Sequence, residues 1–230
     1  MIKNLLRGAA ALCLALTPLA VPAPASAAPA SAAPAAAAAE VLPLVVAVEQ
    51  IPVADESRAG YTRTKFKHWN TGLDPADGCN TRAEVLLAEA VEPPVVGAGC
   101  KLTGGSWTSY YDGQQVNDAA KLDIDHMTPL AEAWDSGASQ WTAQRREAYA
   151  NDQDAAASLA AVTARSNRQK ADQDPAQWMP PHPDATCRYI TEWTATKLRW
   201  DLSADQAEAD ALKSYAHACP GQVVEYTRAP

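Results

Sequence analysis

Alternating apolar and polar positions predict short strands in the middle of the chain. Residues 122–127 begin with alternating apolar and polar side chains, as a half-buried strand does, and Pro129 ends the strand. Residues 158–163 predict a second short strand, although their alanines leave a helix open. The glycines, aromatic residues and Asp-Gly pair of residues 104–113 indicate a hairpin or a strand with a tight turn.

Helical spacing dominates the remaining segments. Aromatic residues recur at three- to four-residue steps from Tyr189 to Trp200, which predicts a helix with one largely apolar face. Thr81, Ser166 and Ser203 stand where helix N-caps are expected. The predicted helices cover residues 81–90, 138–150, 166–170, 189–200 and 203–218. The chain is therefore predicted to be α+β and mostly helical.

The N-terminal segment has the pattern of a secretory signal peptide. Lys3 and Arg7 precede an apolar run over residues 8–19, and Ala25-Ser26-Ala27 offers a small-residue cleavage site. The apolar run is shorter than the roughly 20 residues that span a bilayer. We therefore expect a signal peptide over residues 1–27, a flexible linker rich in alanine and proline over 28–41, and a single domain over 42–230.

Four cysteines follow the predicted signal peptide: Cys79, Cys100, Cys187 and Cys219. None belongs to a Cys-x-x-Cys pair, so a zinc ribbon finds no support. An even number of cysteines in a secreted chain indicates two disulfides, for which three pairings are possible. The pairing Cys79–Cys100 and Cys187–Cys219 is favoured because each pair brackets one local unit.

The overall charge limits the kinds of nucleic-acid binding that the chain can support. Its formal net charge is −8, and removal of Lys3 and Arg7 with the signal peptide would make it −10. An acidic surface opposes tight, non-specific binding to nucleic acids, which relies on basic patches. Any binding of this kind must depend on a local basic site and should weaken steeply with salt.

Three residues have side chains suited to metal-assisted chemistry. Asp125 and His126 are neighbours on a predicted strand, so their side chains leave on opposite faces, and the strand end can present a carboxylate and an imidazole together. Asn167 stands near the start of a predicted helix, and its carbonyl oxygen is a hard ligand suited to magnesium. The free N–H groups of a helix start also favour phosphate.

The order of these residues resembles a known family. Asp125-His126-x-x-Pro129-Leu130 followed by Asn-x-x-Lys (167–170) is the layout of HNH (ββα-metal) endonucleases. The chain is most similar to secreted bacterial HNH proteins related to the C-terminal nuclease domain of GmrSD-type restriction enzymes. Further matching segments lie at residues 66–69, 78–82, 124–134, 150–152, 161–162 and 178–181. The resemblance covers roughly residues 60–220.

The resemblance implies a ββα-metal core within a mostly helical single domain, and one-metal hydrolysis of phosphodiester bonds. His126 would be the general base, and Asp125 and Asn167 would hold a divalent cation, with Mg²⁺ favoured and Mn²⁺ or another cation compatible. DNA is the favoured substrate, and no stable membrane association is expected. A secreted ribonuclease and a catalytically inactive binding module with the same fold are the alternatives.

Other residues receive weaker predictions. Lys170, Arg82 and His68 are candidates for binding phosphate or substrate, although His68 can be purely structural and Arg82 can pair with a nearby acid. Ser158 stands where HNH proteins usually have an asparagine that braces the histidine loop. A serine there could brace the loop more weakly, which, with the acidic charge, keeps the inactive alternative open.

Overall fold

A computed structural model describes residues 38–230 of the protein. The predicted signal peptide and residues 28–37 of the predicted linker lie outside the described residues. The described α-helices are α1 (Leu44–Ala47), α2 (Thr81–Ala88), α3 (Leu130–Asp135), α4 (Ala143–Ala150), α5 (Ala164–Lys170), α6 (Thr186–Trp200) and α7 (Gln206–Ala218). None of the helices between residues 38 and 230 has the length and apolar character needed to cross a bilayer.

The strands pair locally into small antiparallel sheets, so the prediction of an α+β fold is confirmed. The described strands are β1 (Glu40–Pro43), β2 (Val95–Gly97), β3 (Lys101–Thr103), β4 (Trp107–Ser109), β5 (Gln114–Val116), β6 (Leu122–His126), β7 (Leu159–Thr163) and β8 (Val223–Tyr226). They pair as β1–β8, β2–β3, β4–β5 and β6–β7. Strand β1 begins two residues before the predicted domain boundary, because Glu40 pairs with Tyr226 near the C-terminal end.

The two-stranded sheet of β6 and β7 lies between two hydrophobic clusters. Leu122 and Ile124 face a cluster that includes Leu86 of α2 and Trp107 of β4. Residues of the other face, such as Val162, join the main cluster built around α6 and α7. This two-stranded sheet is therefore covered on both faces. Its strands are more deeply buried than the half-buried strand that the alternation predicted. Asp125 pairs with Ala160 and His126 with Leu159, which sets the register of the segment that carries the candidate site.

Both disulfides occur in the favoured pairing. Cys79 is bonded to Cys100, and Cys187 is bonded to Cys219. The first joins the entry to α2 with the start of β3, and the second joins the first turn of α6 with the end of α7. Loops of 21 and 32 residues are closed in this way, each constraint stabilising the fold by roughly 3 kcal/mol in the chain-entropy account. Two disulfides fit an extracellular protein.

The predicted helix caps were misplaced by one to three residues. Asn80 caps α2, Thr163 caps α5 and Asp205 caps α7, each with a side-chain oxygen that accepts a backbone N–H. Ser166 instead donates its hydroxyl to Asp112. Because α5 starts directly at the end of β7, Asn167 is the fourth residue of the helix and not its start, so the argument for phosphate binding at a helix N-terminus does not apply.

The α-helix within residues 138–150 is shorter than the one predicted there. A 3₁₀ turn over Ala138–Gln140 comes first, and the α-helix begins only at Ala143. Thr142 separates the two and caps the helix by accepting the N–H of Arg145.

A buried lysine connects α3, α6 and α7. The Nζ of Lys197 in α6 lies 3.0 Å from Glu132 Oε1 of α3 and 2.5 Å from Glu208 Oε2 of α7. It also donates to the hydroxyl of Ser136 and to the carbonyl of Ser203. Burial lowers the pKa of Lys197, but the carboxylates of Glu208 and Glu132 outweigh it and raise the pKa overall. The lysine therefore stays charged within the fold.

Replacing this lysine should destabilise the protein strongly. Lys197→Met leaves two buried carboxylates without their cation, so the free energy of unfolding should fall by about 3–5 kcal/mol in a urea titration. Lys213→Met in α7 is the matched control, since Lys213 pairs with Glu49 at 3.3 Å on the surface, and its loss should cost about 0–1 kcal/mol. Equal effects of the two substitutions would contradict this account of the core.

Candidate active site

A cavity of about 490 Å³ lies where β6, the start of α3 and α5 meet the segment around Arg63. Asp125, His126 and Asn167, which the sequence analysis singled out, all line it. Arg63 and Arg168 contribute two basic side chains to the wall. The residues expected to act together are distant in sequence, and the fold brings them to one cavity.

Asp125 is buried but keeps one oxygen free. Its Oδ2 accepts hydrogen bonds from the hydroxyl of Tyr111 at 2.6 Å and from the Nζ of Lys170 at 2.5 Å. Burial raises the pKa of the carboxyl, and the ammonium of Lys170 opposes this rise. Within residues 38–230, Oδ1 has no hydrogen-bond partner and is not sealed from solvent. A single carboxylate oxygen is thus left to face the cavity.

Lys170 belongs to the interior and not to a substrate surface. It is fully buried, and its Nζ also donates to the carbonyls of His126 at 2.9 Å and Met127 at 2.7 Å. An ammonium group has three donors, and here all three are used within the protein. The predicted contact of Lys170 with phosphate is therefore corrected: the lysine stabilises Asp125 and the turn after β6.

The imidazole of His126 is held in one tautomer. Its Nε2 donates to the carbonyl of Ala150 at 2.9 Å, so Nδ1 carries the lone pair. In the described part of the chain, Nδ1 has no hydrogen-bond partner and remains accessible from the cavity. Burial, reinforced by the nearby His68 and Arg63, lowers the pKa of His126 to about 3, against the opposing effect of the Ala150 carbonyl. The lowered pKa keeps the ring neutral at pH 7, and the lone pair on Nδ1 points to a proton acceptor at that atom only.

Two aromatic rings fix the plane of this imidazole. Trp69 stacks on it, with centroids 5.4 Å apart and an interplanar angle of 24°, and Tyr149 lies nearly parallel to it at 6.4 Å and 19°. Trp69 has a φ of 58°, a left-handed conformation that is uncommon for a bulky residue and costs about 1–3 kcal/mol. Sequence analysis missed this contact of Trp69, because nothing in the local pattern signals a stacking partner far along the chain.

Asn167 offers its amide oxygen to the same cavity. Its Nδ2 donates to Asp123 Oδ2 at 3.4 Å, which leaves Oδ1 as the uncommitted atom among the described contacts. Together with Oδ1 of Asp125, it gives two hard oxygen donors on one cavity wall. Oxygen donors of this kind suit Mg²⁺ or Mn²⁺, so the residues present fit a divalent cation.

A second cluster of acids is less suited to a cation. Carboxylate oxygens of Glu56, Glu132 and Asp135 lie within 4.8 Å of one another. However, Glu132 is paired with Lys197, and Asp135 with Arg58 at 2.6 Å. Burial and the neighbouring Glu132 raise the pKa of Glu56 to about 8. Two of the three carboxylates are thus already paired with basic side chains, and the raised pKa favours a proton on the third.

The loop that holds His126 is organised around a buried aspartate. Asp152 accepts hydrogen bonds from Ser158 at 2.6 Å, from Arg199 at 2.7 and 2.9 Å, and from the indole of Trp200 at 2.8 Å. The carbonyl of Ser158 also accepts the N–H of Met127 at 3.0 Å. Ser158 therefore connects the loop that supplies the Ala150 carbonyl with the turn that follows His126.

The remaining candidates lie outside the cavity wall. Arg82 is half-buried and donates to the carbonyls of Ala119 at 3.2 Å and Leu122 at 2.9 Å, so it neither reaches the cavity nor pairs with an acid. His68 packs edge-on to His126, with centroids 6.2 Å apart. Its Nδ1 donates to the carbonyl of Phe66 at 2.8 Å, and its Nε2 lies 3.5 Å from Arg63 Nη2.

With this geometry, comparison with known proteins decides the family. Residues 99–214 match the family model described as GmrSD restriction endonucleases, C-terminal domain. The chain belongs to this family. It is also 42% identical over 160 residues to a protein of Arthroderma benhamiae named "Uncharacterized secreted protein", and the alignment covers 70% of this chain and 76% of that one. No solved structure matches the chain.

Membership of the GmrSD C-terminal domain family confirms the broader form of the resemblance. The match includes Asp125, His126 and Asn167 but begins at Gly99. Arg63, which lines the cavity, and Trp69, which stacks on His126, therefore precede it. The narrower expectation of a secreted bacterial group remains a prediction, since the relative comes from Arthroderma benhamiae.

The bracing role of Ser158 can be tested by removing only its hydroxyl group. Ser158→Ala removes one hydrogen bond to the buried carboxylate of Asp152, so the free energy of unfolding should fall by about 1.5–3 kcal/mol. Ser214→Ala is the control, because Ser214 is an exposed residue of α7, and it should change stability by less than about 0.5 kcal/mol. If Ser158→Ala were as stable as this control, the contact would not brace the loop.

Proposed function

We propose that the protein is a secreted, divalent-metal-dependent endonuclease that hydrolyses phosphodiester bonds in DNA by a one-metal mechanism. The convergence of Asp125, His126 and Asn167 on one cavity carries this proposal, since each has one polar atom without a partner among residues 38–230. The predicted signal peptide, the two disulfides and the name of the Arthroderma benhamiae relative support secretion.

His126 acts as the general base in the proposed reaction. Its Nδ1 takes a proton from a water molecule that attacks phosphorus, while the Ala150 carbonyl keeps Nε2 protonated. Trp69 and Tyr149 hold the ring plane, so the lone pair does not swing away from the cavity. A positioned base of this kind contributes about 10²–10⁴-fold to the rate.

Asp125 and Asn167 would hold the cation through their free oxygens. When bound, a divalent cation stabilises the negative charge that develops on the phosphate and on the leaving oxygen. Lys170 and Tyr111 hold the other oxygen of Asp125, so the carboxylate presents a fixed atom. Mg²⁺ and Mn²⁺ both accept such oxygen ligands. The bond between phosphorus and the 3′-oxygen would break, the leaving oxygen would take a proton from solvent water, and the products would carry a 5′-phosphate and a 3′-hydroxyl.

A plasmid-nicking assay tests this function. The purified mature protein should nick plasmid DNA with Mg²⁺ or Mn²⁺ and stop when the metal is chelated. His126→Ala should lower the rate by at least about 10²-fold while keeping the circular dichroism spectrum of the folded protein. His217→Ala is the matched control, because His217 is exposed on α7 far along the chain from the site residues, and it should cleave at the wild-type rate.

The same assay separates the alternatives. Degradation of RNA without cleavage of DNA would make the protein a ribonuclease and overturn the proposed substrate. A folded protein that is inert on both nucleic acids with every divalent metal would overturn the enzymatic function and favour a binding module. Normal cleavage by folded His126→Ala would remove this histidine from the role of base.

A further inference from the structure

Only two arginines line the cavity among the described residues, and their environments differ. Arg168 Nε lies 3.4 Å from Asp123 Oδ2, so an acid already compensates its charge. Arg63, in contrast, forms no ion pair within residues 38–230. Its guanidinium is exposed and keeps a full positive charge at the cavity wall.

The other basic side chains near the cavity are engaged elsewhere. Lys170 is buried on Asp125, and Arg82 is bound to backbone carbonyls. Arg58 pairs with Asp135 and with Asp172, an acid of the cavity wall. The single positive charge of Arg58 offsets part of the negative charge of these two acids.

A histidine lies beside Arg63. Because His68 Nδ1 donates to the Phe66 carbonyl, Nε2 is the acceptor atom of this tautomer, and it lies 3.5 Å from Arg63 Nη2. Arg63 begins a 3₁₀ turn that ends next to the fully buried Phe66, which anchors the segment. A carboxylate in the place of His68 would orient the arginine but neutralise it. The imidazole contacts the guanidinium without cancelling its charge.

We propose that Arg63 is the phosphate-binding residue of this site, with His68 as its positioning residue. The inference rests on the proposed function and names the group that compensates for the acidic surface of the protein. A guanidinium can donate two parallel hydrogen bonds to the non-bridging oxygens of a phosphate. In a chain of net charge −8, one uncompensated arginine at the cavity should dominate the local attraction for a phosphodiester.

Binding without cleavage tests this role directly. Fluorescence anisotropy of a short fluorescein-labelled single-stranded oligodeoxynucleotide is measured with metal-free protein in chelator, over a series of salt concentrations. Arg63→Gln should weaken binding by about 10–100-fold, as the loss of a charged hydrogen bond does. The slope of log affinity against log salt should shrink by about 0.7, the value for one phosphate contact on a single strand.

Matched variants distinguish a direct contact of Arg63 with phosphate from the general effect of a positive charge in the cavity. Arg168→Gln removes the same charge from the same cavity but should weaken binding by less than about threefold, as loss of a surface-paired charge does. Arg63→Lys should restore the salt slope, because it restores the charge. His68→Ala should weaken binding while leaving the salt slope unchanged, and it should add nothing in the Arg63→Gln background.

The outcomes distinguish this inference from the proposed function. If the wild type binds the oligonucleotide and Arg63→Gln binds equally well, or if Arg168→Gln loses as much affinity, the role of Arg63 is overturned and the nuclease proposal stands. If the wild type binds no oligonucleotide even at low salt and also fails to nick plasmid, the proposed function fails, and the inference about Arg63 fails with it.

Discussion

The buried ion pair between Lys170 and Asp125 joins the fold of this protein to its candidate chemistry. Two charges in an apolar interior cost several kcal/mol each to desolvate, and the pair is tolerated only where further hydrogen bonds satisfy both groups. Here the Tyr111 hydroxyl donates a hydrogen bond to the carboxylate, and the carbonyls of His126 and Met127 accept hydrogen bonds from the ammonium. Lys170 lies in α5 and Asp125 in β6, so the pair holds the helix that carries Asn167 against the strand that carries His126.

The histidine is held by a separate set of contacts from the other side of the strand. Ala150 determines which nitrogen carries the proton, and the rings of Trp69 and Tyr149 determine the plane of the imidazole. Asp152 in turn holds the loop that follows Ala150, through hydrogen bonds that reach α6. The strained backbone at Trp69 is consistent with this arrangement, since strain of this kind persists where the surroundings fix a functional side chain.

Sequence analysis predicted the parts of the site that depend on local pattern. Alternation placed Asp125 and His126 on a strand, and a short second strand was expected to precede Asn167. Of the three possible cysteine pairings, the favoured one, in which each pair brackets a local unit, is the one found. These features depend on periodicity, strand pairing and loop closure, which neighbouring residues determine.

Contacts between distant segments escaped the same reasoning. Lys170 was a candidate for binding phosphate, and only the packing of α5 on β6 turns it inwards to Asp125. The cap of α5 moved to Thr163 because the helix follows β7 without a loop. Arg63 was not singled out, and Trp69 appeared only within the family-like segment 66–69, because the role of each depends on contacts between distant residues.

The proposed mechanism requires a cation that binds between Asp125 and Asn167. A crystal soaked in Mn²⁺ can be measured at a wavelength where manganese scatters anomalously, which locates the metal independently of any activity. We predict a peak between Oδ1 of Asp125 and Oδ1 of Asn167, with both oxygens at bonding distance. A peak at Glu132 and Asp135 instead, or none in the cavity at saturating Mn²⁺, would contradict the account.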